Sequence, residues 1–305
     1  MEIILNRVLC RHKSFLLKQI KTGYLSRRFA AVDLVYKRHG QCSGSATPVI
    51  VLHGLLGSKR NWDSMSKNIA EVMTTCVIAP DARNHGESPH DGSHSYVDLA
   101  EDVSRLMDNI PLKKAAIIGH SMGGRTGMVL ALTKPEKVAK LVVVDISPVS
   151  TAGILNDFFP KLIDAMKSVN FTGITNVSNA RNAAKEKILA SGVVDSMAGM
   201  HFILMNITVK SDKTVGWAYN LNALKHSFTS IATFPNKEME NRTYDGPTLF
   251  IGGENSNYLP PSDLTGIQHY FPKAELKYVP GVGHNVHAED PPTFFKIVTE
   301  FLSRK

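Results

Sequence analysis

The chain has 305 residues, which admits one or two domains, and its 43% hydrophobic and 20% charged residues exclude intrinsic disorder and a small disulfide-stapled scaffold. The net charge of +8 lies almost entirely in residues 1–45, which hold nine basic and two acidic side chains. The nearly neutral remainder carries no basic and aromatic patch, so we expect no nucleic-acid partner. No apolar run reaches the ~20 residues of a transmembrane helix.

Basic and apolar residues are interleaved in residues 1–30, so a helix there would have one cationic and one apolar side. This acid-poor, amphipathic start resembles a mitochondrial transit peptide and predicts a mitochondrial location, with the matrix favoured. The alternative is an N-terminal helix that packs on the domain or lies on an acidic surface.

The three cysteines, Cys10, Cys42 and Cys76, are odd in number and widely spaced. This pattern predicts neither a disulfide framework nor a CxxC metal or redox site, and it favours a reducing compartment.

From residue 31 onward, short apolar runs alternate with helical patterns, which is typical of a parallel sheet with crossover helices. The runs are nearly continuous Val, Ile and Leu, as in strands covered by helices on both faces. The predicted strands are Val32–Tyr36, Pro48–Leu52, Cys76–Pro80, Ala115–Ile118, Leu141–Val144, Thr248–Ile251 and Leu276–Val279, and the predicted helices include Trp62–Thr74, Tyr96–Ile110, Met122–Thr133 and Pro292–Leu302. Residues 31–148 and 245–305 therefore predict an α/β core with a mostly parallel central sheet flanked by helices.

Residues 149–244 interrupt this alternation with a mostly helical pattern and no clear strand. Because structureless loops of that length are rare in compact domains, we predict a helical cap inserted before the penultimate strand. Its apolar side chains favour the cap's own core over a substrate tunnel. They include Phe158, Phe159, Met166, Phe171, Met197, Met200, Phe202, Leu204, Met205 and Trp217.

Residues 119–123 carry a nucleophile motif, Gly-His-Ser-Met-Gly, between an apolar strand and a helical pattern. This is the strand–turn–helix setting that a G-x-S-x-G elbow needs. The turn strains the backbone of Ser121, and the flanking glycines keep other side chains away from it. The helix directs its first N–H groups at the serine, so the Met122 N–H is a predicted oxyanion donor.

The loop after the strand at 48–52 predicts a second oxyanion donor. It reads His-Gly-Leu-Leu-Gly over 53–57, and the N–H of Leu55 is the natural donor. We expect His53 to brace this loop and not to react. The polar loop 81–88 is expected to hold neighbouring loops together by hydrogen bonds.

A serine nucleophile needs a histidine base, and the base needs an orienting carboxylate. In the fold that carries this elbow the chain order is serine, acid, histidine. The histidine candidate is His284, in a Gly-rich loop after the last strand, while His287 is assigned a structural role.

The acid is less obvious, because the loop after the strand at 248–253 has no aspartate. Ser256 occupies the position from which an acid normally reaches the histidine, and Glu254 is the closest carboxylate there. Asp145 ends the strand next to the nucleophile's strand, so its carboxylate would lie at the same sheet edge. We predict Asp145 as the acid, with Ser256 adding a hydrogen bond and Glu254 as the alternative.

Six segments together resemble the mitochondrial subgroup of the α/β-hydrolase superfamily, which includes diacylglycerol lipase-like animal enzymes, fungal ethanol acetyltransferase-like enzymes and small bacterial esterases. The resemblance covers most of 47–150 and 245–302, and it is weak in the cap. The segments are His53–Lys59, Asp81–Ser88, Gly119–Gly124, Val144–Pro148, Gly252–Ser256 and Gly283–His284.

This resemblance implies Ser121, Asp145 and His284 as a catalytic triad and a mitochondrial location. In some animal members it also implies an acid in the cap, at a position where this chain has Asn222, which supplies no carboxylate. It further implies hydrolysis of diacylglycerol and other acyl esters, and an association that protects lipoylated mitochondrial oxoacid dehydrogenase complexes.

The sequence therefore predicts a serine hydrolase of small-molecule acyl or lipid esters with an α/β-hydrolase fold. We expect no metal, nucleotide or flavin cofactor, since no G-x-G-x-x-G or P-loop occurs. Two alternatives stay open: an acyltransferase that uses an alcohol acceptor, and a binding partner of a mitochondrial complex.

Overall fold

A computed structural model describes residues 31–42, 46–150, 154–194, 196–210 and 212–304. The predicted transit peptide, residues 1–30, lies outside this part of the chain, as does Cys10. The strands are β1 (Tyr36–His39), β2 (Val49–Leu52), β3 (Val77–Pro80), β4 (Ala115–His120), β5 (Val138–Val144), β6 (Ile207–Val209), β7 (Val215–Trp217), β8 (Thr248–Gly253) and β9 (Ala274–Val279). The helices are α1 (Asp63–Val72), α2 (Tyr96–Asn109), α3 (Met122–Thr133), α4 (Ile154–Lys167), α5 (Val177–Ala190), α6 (Met197–Leu204), α7 (Leu221–His226), α8 (Phe228–Ala232), α9 (Leu264–Tyr270), α10 (Val286–Glu289) and α11 (Pro291–Ser303).

A seven-stranded sheet in the order β1-β3-β2-β4-β5-β8-β9 forms the centre of the molecule. Only β1 runs antiparallel within it, on β3, so the predicted mostly parallel sheet is confirmed. The register pairs His120 with Val144 and Val144 with Ile251. The residues that follow β4 and β5 and the end of β8 therefore meet at one edge of the sheet, and this edge carries the candidate site.

Alternate residues of the central strands enter two different cores, because successive side chains of a strand point to opposite faces. Ile50 and Leu52 pack with α2 and α3 on one face. Val49 and Val51 pack with Trp62 and Phe294 on the other. Burial on both faces explains why these strands are almost continuously apolar.

The region 149–244 contains helices α4–α8 and also a short antiparallel hairpin of β6 and β7. The expectation of no strand there is wrong, because three-residue strands are too short to leave a period-2 pattern. Most of the apolar residues named above pack into a core of this region's own. Phe158, Met197 and Met205 do not, and the first two are 38% and 66% exposed.

Arg125 connects α3 to the start of the cap region and to the end of α8. Its fully buried guanidinium donates to the carbonyls of Ser147 and Ser150 at 3.1 Å each, and to that of Ala232 at 2.8 Å. Charge-assisted bonds to buried carbonyls are strong, so the start of the cap and the end of α8 are both fixed next to the helix that follows Ser121.

Two expectations about the N-terminal part of the fold are wrong. Residues 32–35 are not a strand, and the Val32 N–H donates instead to the Asp102 carboxylate at 2.7 Å. Cys42 and Cys76 form a disulfide, whereas the odd number and wide spacing of the cysteines predict no disulfide framework. The pairing of β1 with β3 brings the residues after β1 next to the residues before β3, a proximity that linear spacing does not reveal. No helix in the described ranges is both long and apolar enough to span a bilayer.

Candidate active site

Ser121 stands on a strained turn between β4 and α3. Its backbone has φ 51° and ψ −115°, a conformation that is rare for a residue with a side chain. The turn is held from both sides, because the Ser121 N–H donates to the Val144 carbonyl at 2.9 Å and the Arg125 N–H donates to the Ser121 carbonyl at 3.1 Å. Strain that the surrounding bonds maintain is a common feature of catalytic residues.

The two glycines of the elbow allow a close approach of backbones. A Cβ on Gly119 would lie 2.2 Å from the Gly123 carbonyl oxygen, and one on Gly123 would lie 2.3 Å from that of Leu52. No other residue type fits either position without moving the backbone. The start of α3 therefore sits directly against the end of β2, where the loop with Leu55 begins.

Asp145 follows β5 and is completely buried with φ 50°. Its carboxylate accepts three hydrogen bonds: from Gly253 N–H at 3.0 Å, from His284 Nδ1 at 2.7 Å and from the Ser256 hydroxyl. A buried carboxylate requires such partners, since an unpaired one costs several kcal/mol. The alternative acid, Glu254, accepts instead from the Gly281 N–H at 2.9 Å.

The imidazole of His284 is contacted on several sides. Because a carboxylate only accepts, Nδ1 carries the proton donated to Asp145, which leaves Nε2 able to accept one. The ring of Tyr258 stacks on it with a centroid separation of 3.9 Å and an angle of 24°. His120, the neighbour of Ser121, donates from Nε2 to the His284 carbonyl at 2.9 Å. Within the described residues the Ser121 hydroxyl makes no hydrogen bond to His284, a bond that often tightens only when substrate binds.

The predicted oxyanion donors lie on both sides of the serine. A Cβ on Gly54 would lie 3.4 Å from the Ser121 Cβ, so the peptide that carries the Leu55 N–H passes close to the serine. Met122 is the first residue of α3. Among the described residues, neither N–H donates a hydrogen bond to the protein. Two free N–H groups beside a serine are what a developing oxyanion requires.

A family model described as alpha/beta hydrolase fold matches residues 47–291. The chain belongs to the α/β-hydrolase family. The mouse (Mus musculus) protein named sn-1-specific diacylglycerol lipase ABHD11 is 40% identical over 262 residues, which cover 85% of this chain and 83% of the mouse protein. The Escherichia coli protein named Esterase YbfF is 29% identical and covers 84% of this chain and 93% of its own. A solved marine microorganism esterase has a TM-score of 0.78 at 32% identity, covering 89% of this chain and 100% of that chain. This α/β-hydrolase is therefore an enzyme of the esterase or lipase type.

Histidines brace the loops of the hydrolase beneath the site. His53 donates from Nδ1 to the Gly54 carbonyl at 2.8 Å, and its Nε2 accepts from the Ala82 N–H at 2.9 Å. His85 accepts from the Leu56 N–H at 3.2 Å. These contacts match the bracing expected of His53 and of the loop 81–88.

The bracing histidines are neutral because they are buried. Burial lowers the pKa of His53, against the opposing effect of the Asp81 charge. Burial, and then the neighbouring His53 and His94, lower the pKa of His85 well below its usual value. The same cause lowers the pKa of His94, which contacts the Met122 sulfur at 3.3 Å, to about 3. His287 stacks on Trp62 at 4.2 Å and also has a pKa lowered to about 3, mainly by burial, so it belongs to the packing around the site.

The structure brings Asp145, His284 and Ser256 into direct contact and places Ser121 on the adjacent strand end. Sequence reasoning missed Tyr258, although an aromatic residue two positions after Ser256 was visible in the loop. It also missed two cap residues, Tyr219 and Asn206, whose side chains bond to the carbonyl of Leu56. No local motif marks those two, because their partner lies about 150 residues away in the chain.

Proposed function

We propose that this hydrolase cleaves carboxylic esters through Ser121, His284 and Asp145. The hydrogen bond of 2.7 Å between His284 Nδ1 and the buried Asp145 carboxylate, beside a serine on a strained turn, carries the proposal. It fixes the tautomer in which Nε2 accepts a proton, and it provides a negative charge next to the imidazolium that forms.

In the first half of the reaction, the Ser121 oxygen attacks the acyl carbonyl carbon while His284 Nε2 takes the hydroxyl proton. The carbonyl oxygen becomes an oxyanion between the N–H groups of Leu55 and Met122. The tetrahedral intermediate then expels the alcohol, which receives the proton from His284. In the second half, water attacks the acyl-enzyme with His284 again as the base, and the carboxylic acid leaves with Ser121 regenerated.

The proposed substrates are acyl lipids, with diacylglycerol as the first to test. The name of the mouse relative, at 40% identity, supports this choice. Products from dioleoylglycerol resolved by position would show whether the sn-1 ester is cleaved. Added ethanol distinguishes hydrolysis from acyl transfer, because a transferase would convert the acyl group to the ethyl ester.

The proposed location is the mitochondrion, on the basic and amphipathic composition of residues 1–30. Fusion of these residues to a fluorescent protein tests it, since diffuse fluorescence would contradict it. The association with oxoacid dehydrogenase complexes stays a prediction. Rescue of a null cell by Ser121→Ala would indicate that such a role does not need catalysis.

The decisive experiment compares wild type with three variants on p-nitrophenyl esters of increasing acyl length. Ser121→Ala should lose turnover and labelling by a fluorophosphonate. Asp145→Asn should lose on the order of 10³- to 10⁴-fold in kcat, because the amide favours the wrong tautomer of His284. Glu254→Gln is the matched control and should retain activity, since its carboxylate bonds only to the Gly281 N–H among the described residues. A folded wild-type protein without turnover or labelling would refute the proposal, and loss in Glu254→Gln alone would move the acid to Glu254.

A further inference from the structure

Leu56, the residue after the proposed oxyanion donor, has a strained backbone, and both its N–H and its carbonyl make hydrogen bonds. Its φ of 56° lies in the left-handed region that favours glycine. Its N–H donates to His85 Nε2 at 3.2 Å. A leucine keeps such a conformation only where the surrounding structure fixes it.

Two of the groups that fix Leu56 belong to the cap. The hydroxyl of Tyr219 and the amide of Asn206, the latter at 3.3 Å, both donate to the Leu56 carbonyl. The Leu56 side chain is only 4% exposed and packs in the apolar core of the cap. Burial raises the pKa of Tyr219 well above its usual value, so its hydroxyl remains a donor at any working pH.

The position of Leu56 affects the position of the Leu55 N–H, because both residues belong to one turn. The Gly57 N–H donates to the Gly54 carbonyl at 3.0 Å, so residues 54–57 form one tight turn. A Cβ on Gly54 would be 2.8 Å from His120 Nδ1 and 3.4 Å from the Ser121 Cβ. A rotation of the turn about Leu56 would therefore move the Leu55 N–H relative to Ser121.

We infer that Tyr219, assisted by Asn206, is a positioning residue for the oxyanion hole. By holding the Leu56 carbonyl it keeps the strained turn in place and the Leu55 N–H directed at the oxyanion. The oxyanion hole is then complete only while the cap is seated, so the cap takes part in acyl transfer as well as covering the site. This inference rests on the proposed ester hydrolysis.

Tyr219→Phe tests the inference, with Tyr244→Phe as the matched control. Both tyrosines are buried, and both hydroxyls donate to a backbone carbonyl, that of Tyr244 to Val138 at 3.0 Å. Each variant thus loses one oxygen and one buried bond, but only Tyr219 contacts the oxyanion turn. We expect Tyr219→Phe to lower kcat on p-nitrophenyl esters by about 10- to 100-fold with KM within about twofold of wild type. Tyr244→Phe should keep both constants.

An alkyl trifluoromethyl ketone provides a second readout, because its adduct with the serine places an oxyanion in the hole. Its affinity should fall in Tyr219→Phe by about the same factor as kcat/KM. Asn206→Ala should show the same pattern more weakly, and it carries the test if Tyr219→Phe does not fold. Unchanged kcat and ketone affinity in folded Tyr219→Phe, or equal losses in Tyr244→Phe, would overturn the inference while ester hydrolysis by wild type stands. An inactive wild type would overturn both.

Discussion

The buried histidine His94 makes the stability of the protein depend on pH. Burial, and then the charges of Arg83 and His53, lower its pKa to about 3 in the folded state, while the unfolded chain has the ordinary value of about 6.5. The unfolded state therefore binds more protons below pH 6.5, and stability falls as the pH falls from 6.5 towards 3. At pH 5, about 1.5 units below the pKa of this histidine in the unfolded chain, its protonation stabilises the unfolded state. The free energy of unfolding is then about 2 kcal/mol lower than at pH 7.5.

His94→Phe should remove this loss. The imidazole makes only weak bonds, with the Met122 sulfur at 3.3 Å and Asn84 Nδ2 at 3.4 Å, and the Asn84 amide also donates to the Ser93 carbonyl at 3.0 Å. A phenyl ring therefore keeps the shape and leaves no strong bond unmade.

Urea unfolding at pH 7.5 and 5.0 measures the difference. The two tryptophans serve as fluorescence probes, since Trp62 lies in the core that packs on the Val49 and Val51 face of the sheet, and Trp217 lies in the core of the cap. The drop in unfolding free energy between the two pH values should be about 2 kcal/mol smaller in His94→Phe than in wild type. Equal drops in both proteins would refute the assignment of His94 as a neutral buried group.

Two further predictions concern Tyr258 and the disulfide. Tyr258→Leu should lower kcat on p-nitrophenyl esters about 2- to 10-fold, and Tyr258→Phe should restore it, because an aromatic face stabilises the imidazolium of His284 on which it stacks. Equal losses in the two variants would contradict this. Cys42→Ser opens a loop with a sequence separation of 34 residues and should cost about 3–4 kcal/mol in urea unfolding with kcat unchanged, because Cys76 precedes β3 at the sheet edge opposite the site. Reductant should lower wild type to the level of the variant and leave the variant unchanged, and a reductant-sensitive variant would speak against the pairing.

The core of the fold and the strained turn at Ser121 could be predicted because their signals are local. The bounds of α3 are those expected from sequence, and the strands at 49–52 and 77–80 differ from expectation by one residue at one end. These elements are buried on both faces, so hydrophobic burial alone requires their composition. The turn at Ser121 was predictable for a similar reason, since it needs glycines within two residues of the serine.

Features that depend on contacts between distant residues could not be predicted in this way. The disulfide depends on the pairing of β1 with β3, and β1 itself begins four residues later than its apolar pattern indicated. The bond from Tyr219 to Leu56 joins residues 163 positions apart. A tyrosine in the cap looks the same in the sequence whether its side chain only packs in the cap core or also donates to the Leu56 carbonyl. Only the folded structure distinguishes the two cases.

The position of the proposed acid, Asp145, follows from the order of the strands. β5 lies between β4, which leads to Ser121, and β8, whose loop lacks an aspartate. A carboxylate at the end of β5 is therefore within reach of groups from both sides. The loop after β8 supplies donors in place of an acid, through Gly253 N–H at 3.0 Å and the Ser256 hydroxyl.

These two donors bear on the chemistry of the proposed triad. Hydrogen bonds to a charged group contribute about 1.5–3 kcal/mol each, and together with the His284 bond they offset the several kcal/mol that burial of the Asp145 charge costs. Without them the buried charge next to the imidazolium would have one partner in place of three. Ser256 thus occupies the loop position predicted for an acid, and its hydroxyl donates to the carboxylate of the proposed acid, Asp145.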